Sequence, residues 1–414
     1  MTELVHVRAG DIGDFKRGSG FPVRYQGSKA GDLPFYKVSD MNLEGNEIYM
    51  RRANNYISEE QRRKLGATRI PAGSIVFAKI GAAVYLERKR ILSVDSCIDN
   101  NMAAFLVEPK RFNTRYMHYV LSQVRISELA AATSLPSLSN GQLRSLELRV
   151  YEDPKEQRDV ASALEDADKS ISAYQALLTK RLDTKRGLMQ ALLSGHTRLP
   201  GFHEPWAQIR LGDHVTFLRT AALSRAQLDS KSPIRCLHYG DIHTRRSVRL
   251  HAATESMTRA AAPLVARAGR LAVGDLVFAD ASEDESGVGK SLEIQSVPTE
   301  GLVAGLHTIA ARFDKQMLAD GFKAYLQFVP TFRQSLLRLA AGTKVLATTR
   351  TYLASIELAL PSVAEQAAIA RILMDTDSES AALEAQLEKA QLIRQGMMQE
   401  LLTGRTRLVH EGAI

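Results

Sequence analysis

A chain of 414 residues with 45% hydrophobic and 24% charged residues has the composition of a folded globular protein, long enough for two or three cores. Its net charge of +8 favours an anionic partner, and its two cysteines, Cys97 and Cys236, far apart and outside any CxxC spacing, argue against a disulfide framework or a zinc site. The first residues form no basic-then-apolar signal and no apolar run reaches spanning length, so a cytoplasmic protein is expected.

Residues 1–153 alternate β-type runs with turns. Strands are expected over 33–38, 73–79 and 103–107, a helix over 116–129 and a closing strand over 146–150, which makes a mixed α/β domain. A long helical segment follows over 154–199, opened by Pro154 and stopped by Gly195. Its Val160, Leu164, Ala167, Ile171, Tyr174 and Leu178 alternate steps of four and three, the spacing of an a/d seam. The run TRLPGFHEPWAQ reads as a linker, with Trp206 as an anchor packing on a domain, and residues 200–361 hold this linker and a second domain. A second helical segment covers 362–408, with seam positions Ile369, Leu373, Thr376, Ser380, Leu383 and Leu387 and a stop at Gly404; residues 409–414 are a tail.

The two helical segments are copies. Residues 156–199 align with 365–408 without a gap, at a constant offset of 209 (365 − 156). Glu156-Gln157 falls on Glu365-Gln366, Asp168 on Asp377, and Leu192-Leu193 on Leu401-Leu402. The domains echo each other more loosely. The run at 73–78 recurs at 274–279, Tyr119 falls on Tyr325, and the offset drifts between loops. Each helix is acidic early (Glu165, Asp166, Asp168; Asp375, Asp377, Glu379) and basic late (Lys180, Arg181, Lys185; Lys389, Arg394), so an antiparallel pair sets acid against base. The expected fold is α+β: two mixed α/β domains separated by two long helices in an antiparallel coiled coil. That arrangement gives two heads related by a pseudo-two-fold axis, a symmetry that duplex DNA shares.

This layout resembles the specificity subunit of type I restriction-modification systems. The resemblance spans essentially the whole chain. It rests on two domains, each followed by a helix that opens with Glu-Gln and closes with Leu-Leu-Ser/Thr-Gly-x-Thr-Arg-Leu. The family's Pro-Pro run before Glu-Gln survives only as Pro361 and a displaced Pro154. The resemblance implies that each domain reads half of a bipartite, asymmetric site in double-stranded DNA. It implies that the helices, marked by Glu156, Gln157, Leu192, Leu193, Glu365, Gln366, Leu401 and Leu402, dock two modification (methyltransferase) subunits, with restriction (endonuclease/translocase) subunits completing the complex. S-adenosylmethionine, Mg and ATP would then belong to those partners, and this chain would carry no cofactor or metal and no catalytic residue.

DNA reading calls for basic, amide and hydroxyl side chains on loops held by a rigid sheet. In the first domain the candidates are Lys37, Ser39, Asp40, Lys79, Lys89, Arg90, Asn100, Asn101, Ser134, Ser139 and Gln142. In the second they are His238, Asp241, Thr244, Arg245, Arg246, Lys290, His307, Lys344, Thr348, Thr349 and Arg350. Taken singly, each is more simply a solvated or capping residue; recurrence at equivalent places in both domains gives the set its weight. Residues 286–291 end like a P-loop, but Asp284 stands where that motif requires glycine, so nucleotide binding is rejected. No methyltransferase tetrad of the Asn/Asp-Pro-Pro-Tyr/Phe type, no GxGxxG and no HExxH occurs. Two alternatives stay open at this stage. One is a metal-dependent site-specific nuclease using Asp280, Glu283 and Glu293; the other is a coiled-coil adaptor carrying two domains for partners other than DNA.

Overall fold

The computed structural model describes residues 4–130, 136–340 and 346–408. The chain divides into two compact units. One holds the first domain with the adjoining ends of both long helices (residues 1–173 and 387–414), and the other holds residues 174–386.

In the first unit a five-stranded sheet has the order Gly13–Arg17, Met102–Val107, Ile75–Ala78, Lys89–Leu92, Tyr49–Met50. A three-stranded sheet runs Tyr56–Ile57, Leu33–Tyr36, Cys97–Ile98, and Leu4–Arg8 pairs with Glu147–Tyr151. The central strand is apolar at every position because both of its faces are covered. With side chains alternating, Ile75 and Phe77 enter one core while Val76 enters the other, beside Tyr36, Met50 and Leu92.

The second unit repeats this plan. Its large sheet runs Val215–Leu218, Thr308–Phe313, Leu276–Ala279, Ser291–Ser296, Arg249–His251, and its small one Arg259–Ala260, Ile234–Leu237, Leu302–Ala304. The sense of each pairing is kept, including the single parallel pair in each sheet. Leu276 and Phe278 face one core and Val277 and Ala279 the other.

The expected helix over 116–129 is shorter and starts earlier, at Thr114–Ser122, capped by Asn113, whose side chain accepts from the Tyr116 N–H. It cannot continue because the N–H groups of Ile126 and Ser127 are taken by the Glu87 carboxylate, at 3.2 and 2.9 Å. Residues Ile126–Leu129 form a separate 3-10 turn.

The long helices run over Pro154–Leu193 and Val363–Leu401. Within each unit they are antiparallel neighbours and acid meets base as the charge gradients require. Asp168 meets Arg394 in the first unit; Lys185 meets Asp377 and Arg181 meets Glu379 in the second. Thr376 and Ser380, polar residues on the seam, are buried because each hydroxyl donates to a carbonyl one turn back in its own helix. Gly195 and Gly404 end the helices at φ +75° and +71°, the left-handed conformation that favours glycine. Trp206 lies against Gly195, and Leu4 against Gly404, so a side chain at either glycine would also have to push a neighbour aside. Among the described residues no helix is long and apolar enough to cross a membrane. The predicted tail at 409–414 lies outside the described residues.

Candidate nucleic-acid interface

The Glu-Gln motif at each helix start is an internal clasp. Gln157 is fully buried. Its Oε1 accepts from the Asn113 N–H at 2.8 Å, and its Nε2 donates to the carbonyls of Tyr151 (2.7 Å) and Arg111 (3.1 Å). Gln366 repeats this with the Ala319 N–H (2.9 Å) and the carbonyls of Pro361 and Met317 (both 2.9 Å). Glu365 is buried and takes two hydrogen bonds from Arg198, each 2.7 Å long. In the first unit Glu156 and Arg407, the residues at the equivalent positions, line one cleft together with Asp159. Leu192, Leu193, Leu401 and Leu402 belong to the cores. These motif residues were expected to mark a docking surface; apart from the half-buried Glu156, they hold each domain onto the helices. The helices leave Leu392 and Ile393 exposed in the first unit and Leu177 and Leu182 in the second, between 39% and 62% exposed.

The candidate reading residues sort by what the backbone asks of them. After the central strand of the small sheet, the turn is a capping box in both domains. Asp40 accepts from the Lys37 N–H at 2.8 Å, and Asp241 from the His238 N–H at 3.1 Å. Asp40 is wholly buried, with Asn54 as a further partner, so it shapes the loop rather than faces outward. Asp241 also pairs with Arg225, and His238 is buried. The loop that Asp40 shapes leaves Ser39 exposed and Lys37 half-buried against Gln26.

A second equivalence comes from one backbone bond found in both domains. The Lys79 N–H donates to the Asn101 carbonyl at 2.8 Å, and the Asp280 N–H to the His307 carbonyl at 3.2 Å. The same two places therefore hold a cation and an amide in the first domain, and an acid and an imidazole in the second. Burial and the charge of nearby Arg17 lower the pKa of Lys79. Asn100 is exposed beside Asn101. His307 sits at φ +55°, a conformation rare outside glycine, with Nδ1 3.3 Å from Asp280.

Other candidates belong to the scaffold. Lys89 is only 3% exposed, donating to Glu87 and to the Val124 carbonyl, and Arg90 is half-buried against the Lys89 carbonyl. Ser139 and Gln142 form the capping box of a short helix, and Thr349 caps another. Thr348 is buried, and Arg350 reaches the Leu218 carbonyl. Ser134 and Lys344 lie outside the described residues.

The remaining second-domain candidates gather around an open cleft of about 900 Å³. Arg246 is 89% exposed, Arg245 is paired with Glu255, and Lys290 donates to the His243 carbonyl at 2.6 Å. Thr244 is exposed next to them. The sequence reading missed Tyr239 and Phe328, exposed aromatics lining the same cleft. Tyr239 packs edge-on to His243 and His307. Its position directly after the cap residue, where the first domain has Val38, was the available signal. The Asp280, Glu283 and Glu293 grouping does not assemble. Glu293 is buried, accepting from the N–H groups of Gly321 and Ala324, and no group of three potential ligands converges among the described residues.

Two topologically identical α/β domains, each clasped to a pair of long antiparallel helices and differing in loop chemistry, define a duplicated recognition fold. Residues 1–180 match the family model described as the type I restriction modification DNA specificity domain. Over its whole length the chain is similar to a type I restriction-modification S subunit from M. genitalium, with a TM-score of 0.60 at 13% identity, covering 97% of this chain and 96% of that one. It is also similar to a chain from a structure concerned with complex assembly and conformational transition of the type I R-M system (TM-score 0.57, 14% identity, 98% of both chains). The chain as a whole has the fold of a type I specificity subunit.

Proposed function

We propose that this chain is the non-catalytic DNA-reading subunit of a type I restriction-modification complex, recognising a bipartite, asymmetric duplex site and directing modification subunits to it. The observation that carries this reading is one framework built twice with different side chains at the same loop positions. A site whose halves were identical would ask the same side chains of both domains. Here Lys79 and Asn101 are replaced by Asp280 and His307 on an identical backbone bond. Amides and cations pair with purine edges, whereas an acid suits the cytosine amino group, so the halves differ in sequence. Arg246 and Lys37 supply charge toward phosphate.

The modification subunits dock on open helix surface in each unit, at Leu392 and Ile393 in the first and at Leu177 and Leu182 in the second, since large apolar side chains exposed on helices are covered in an assembly. Restriction subunits join the complex through those partners, and S-adenosylmethionine, Mg and ATP are used there. The test compares the purified chain with its co-purified modification subunits on DNA bearing the site. The chain alone should transfer no methyl groups from S-adenosylmethionine and the complex should. Methyl transfer or DNA cleavage by the chain alone would overturn the reading.

A further inference from the structure

Each unit contains the same polar junction, half-buried where domain and helices meet. In the first, Asp168 of the first long helix accepts from the Tyr119 hydroxyl at 2.6 Å and from Arg394 of the second long helix at 2.5 Å. Arg115 of the domain adds a further bond to Asp168, at 2.7 Å, and also reaches Glu165. In the second unit the roles of the helices are exchanged. Asp377 of the second helix accepts from the Tyr325 hydroxyl at 2.6 Å and meets Lys185 of the first helix at 2.5 Å, with Arg249 of the domain at 3.9 Å. Lys185 and Arg394 are themselves equivalent under the 209-residue repeat (394 − 185). Both aspartates are 16% exposed. Burial first, and then the adjacent carboxylate, push both phenols well above their ordinary pKa and keep them protonated as donors.

An apolar contact of this size would give adhesion without direction. A carboxylate that must satisfy a hydroxyl from the domain and a cation from the opposite helix fixes three elements at one point, because a shift of any one leaves a buried charge short of a partner. Between this junction and the glutamine clasp at the helix start, the domain–helix contact is aliphatic, contributed by Val160, Ala161 and Leu164 in the first unit and by Ile369, Ala370 and Leu373 in the second. Such surfaces tolerate small rotations that the junction does not.

We infer that Asp168 and Asp377 are positioning residues for DNA recognition: each sets the angle of one reading domain on the helix pair, and so sets how many base pairs the complex accepts between half-sites. This rests on the bipartite reading proposed above.

The test uses the complex with its modification subunits and a series of duplexes carrying the mapped half-sites at the native gap and at gaps one and two base pairs shorter or longer. The unmodified complex should methylate the native gap preferentially. Tyr119→Phe with Tyr325→Phe should lower the ratio of native to off-gap methylation by roughly tenfold, the scale of one charge-assisted hydrogen bond, while the bases preferred in each half stay the same. Arg394→Lys, which installs the cation the other unit already uses, should keep the discrimination, and Arg394→Met should lose it. Variants that slow every gap in proportion, leaving the ratio unchanged, would reduce the junction to a structural tie and overturn the inference. If the double variant does not fold, Arg394→Met and Tyr325→Phe alone give the same comparison. A wild-type complex indifferent to gap length would instead refute the bipartite reading itself.

Discussion

Replacing Gln157 by glutamate exchanges one NH₂ for an oxygen and changes the shape little. That NH₂ donates to the carbonyls of Tyr151 and Arg111 at a site with no solvent exposure. The substitution leaves both carbonyls without their donor and sets a carboxylate oxygen against them. Each buried group so orphaned costs about 1–3 kcal/mol, so Gln157→Glu should destabilise the first unit by roughly 4 kcal/mol at neutral pH. The sign of the pH dependence follows from the same geometry. Burial and the facing carbonyls raise the folded-state pKa of the new carboxyl above its unfolded value, because only its neutral form can donate. The loss should therefore be smallest below about pH 4.3 and grow as pH rises through the raised pKa. Urea unfolding of the full chain at pH 5 and pH 7.5 measures both, with Gln190→Glu on the exposed face of the same helix as control. A Gln157→Glu protein unfolding within about 0.5 kcal/mol of wild type at pH 7.5 would refute the clasp, since surface changes stay in that range.

Further outcomes can be checked independently. His118 is buried with Nε2 donating to the Lys89 carbonyl and Nδ1 accepting from Arg115, both at 3.0 Å, and burial lowers its pKa to about 4. The unfolded state takes up the proton first, so the wild type should lose about 2 kcal/mol more than His118→Gln between pH 6.5 and pH 5, read as urea midpoints. Inserting seven residues after Leu178 and after Leu387 keeps the seam in phase and lengthens each helix by ~10 Å, so the unread gap should grow by about three base pairs with both half-sites retained, as methylation mapping would show. Tyr239→Ala and Arg246→Ala should each weaken DNA binding, the first selectively for the cognate half-site by about 1–3 kcal/mol and the second for all sequences alike; titration of cognate and scrambled duplexes separates the two.

Much of this architecture was legible because duplication writes itself into sequence. The constant offset placed Asp168 on Asp377 and Gln157 on Gln366, and the acidic-to-basic gradient predicted the antiparallel sense that Asp168–Arg394 and Lys185–Asp377 display. What the pattern could not carry was direction. The resemblance implies a docking role for Gln157; its partners are backbone groups of Arg111 and Tyr151, whose position no periodicity encodes. Lys89 failed for the same reason, since the Glu87 carboxylate and the Val124 carbonyl that draw it inward are brought there by folding. Tyr239 was overlooked because aromatic residues count toward cores unless a turn is known to expose them. Hydroxyl and amide candidates such as Ser139, Gln142 and Thr349 went to capping, the commonest competing use of those side chains.

The account stands most directly on the map of methylated bases in DNA from cells carrying the complete system, compared with cells in which residues 207–360 of this chain have been exchanged for the second domain of another type I specificity subunit. It predicts one two-part, asymmetric motif that depends on this chain, in which the exchange rewrites one half and leaves the other half in place. A motif in which both halves change together, or methylation that persists unaltered without the chain, would contradict it.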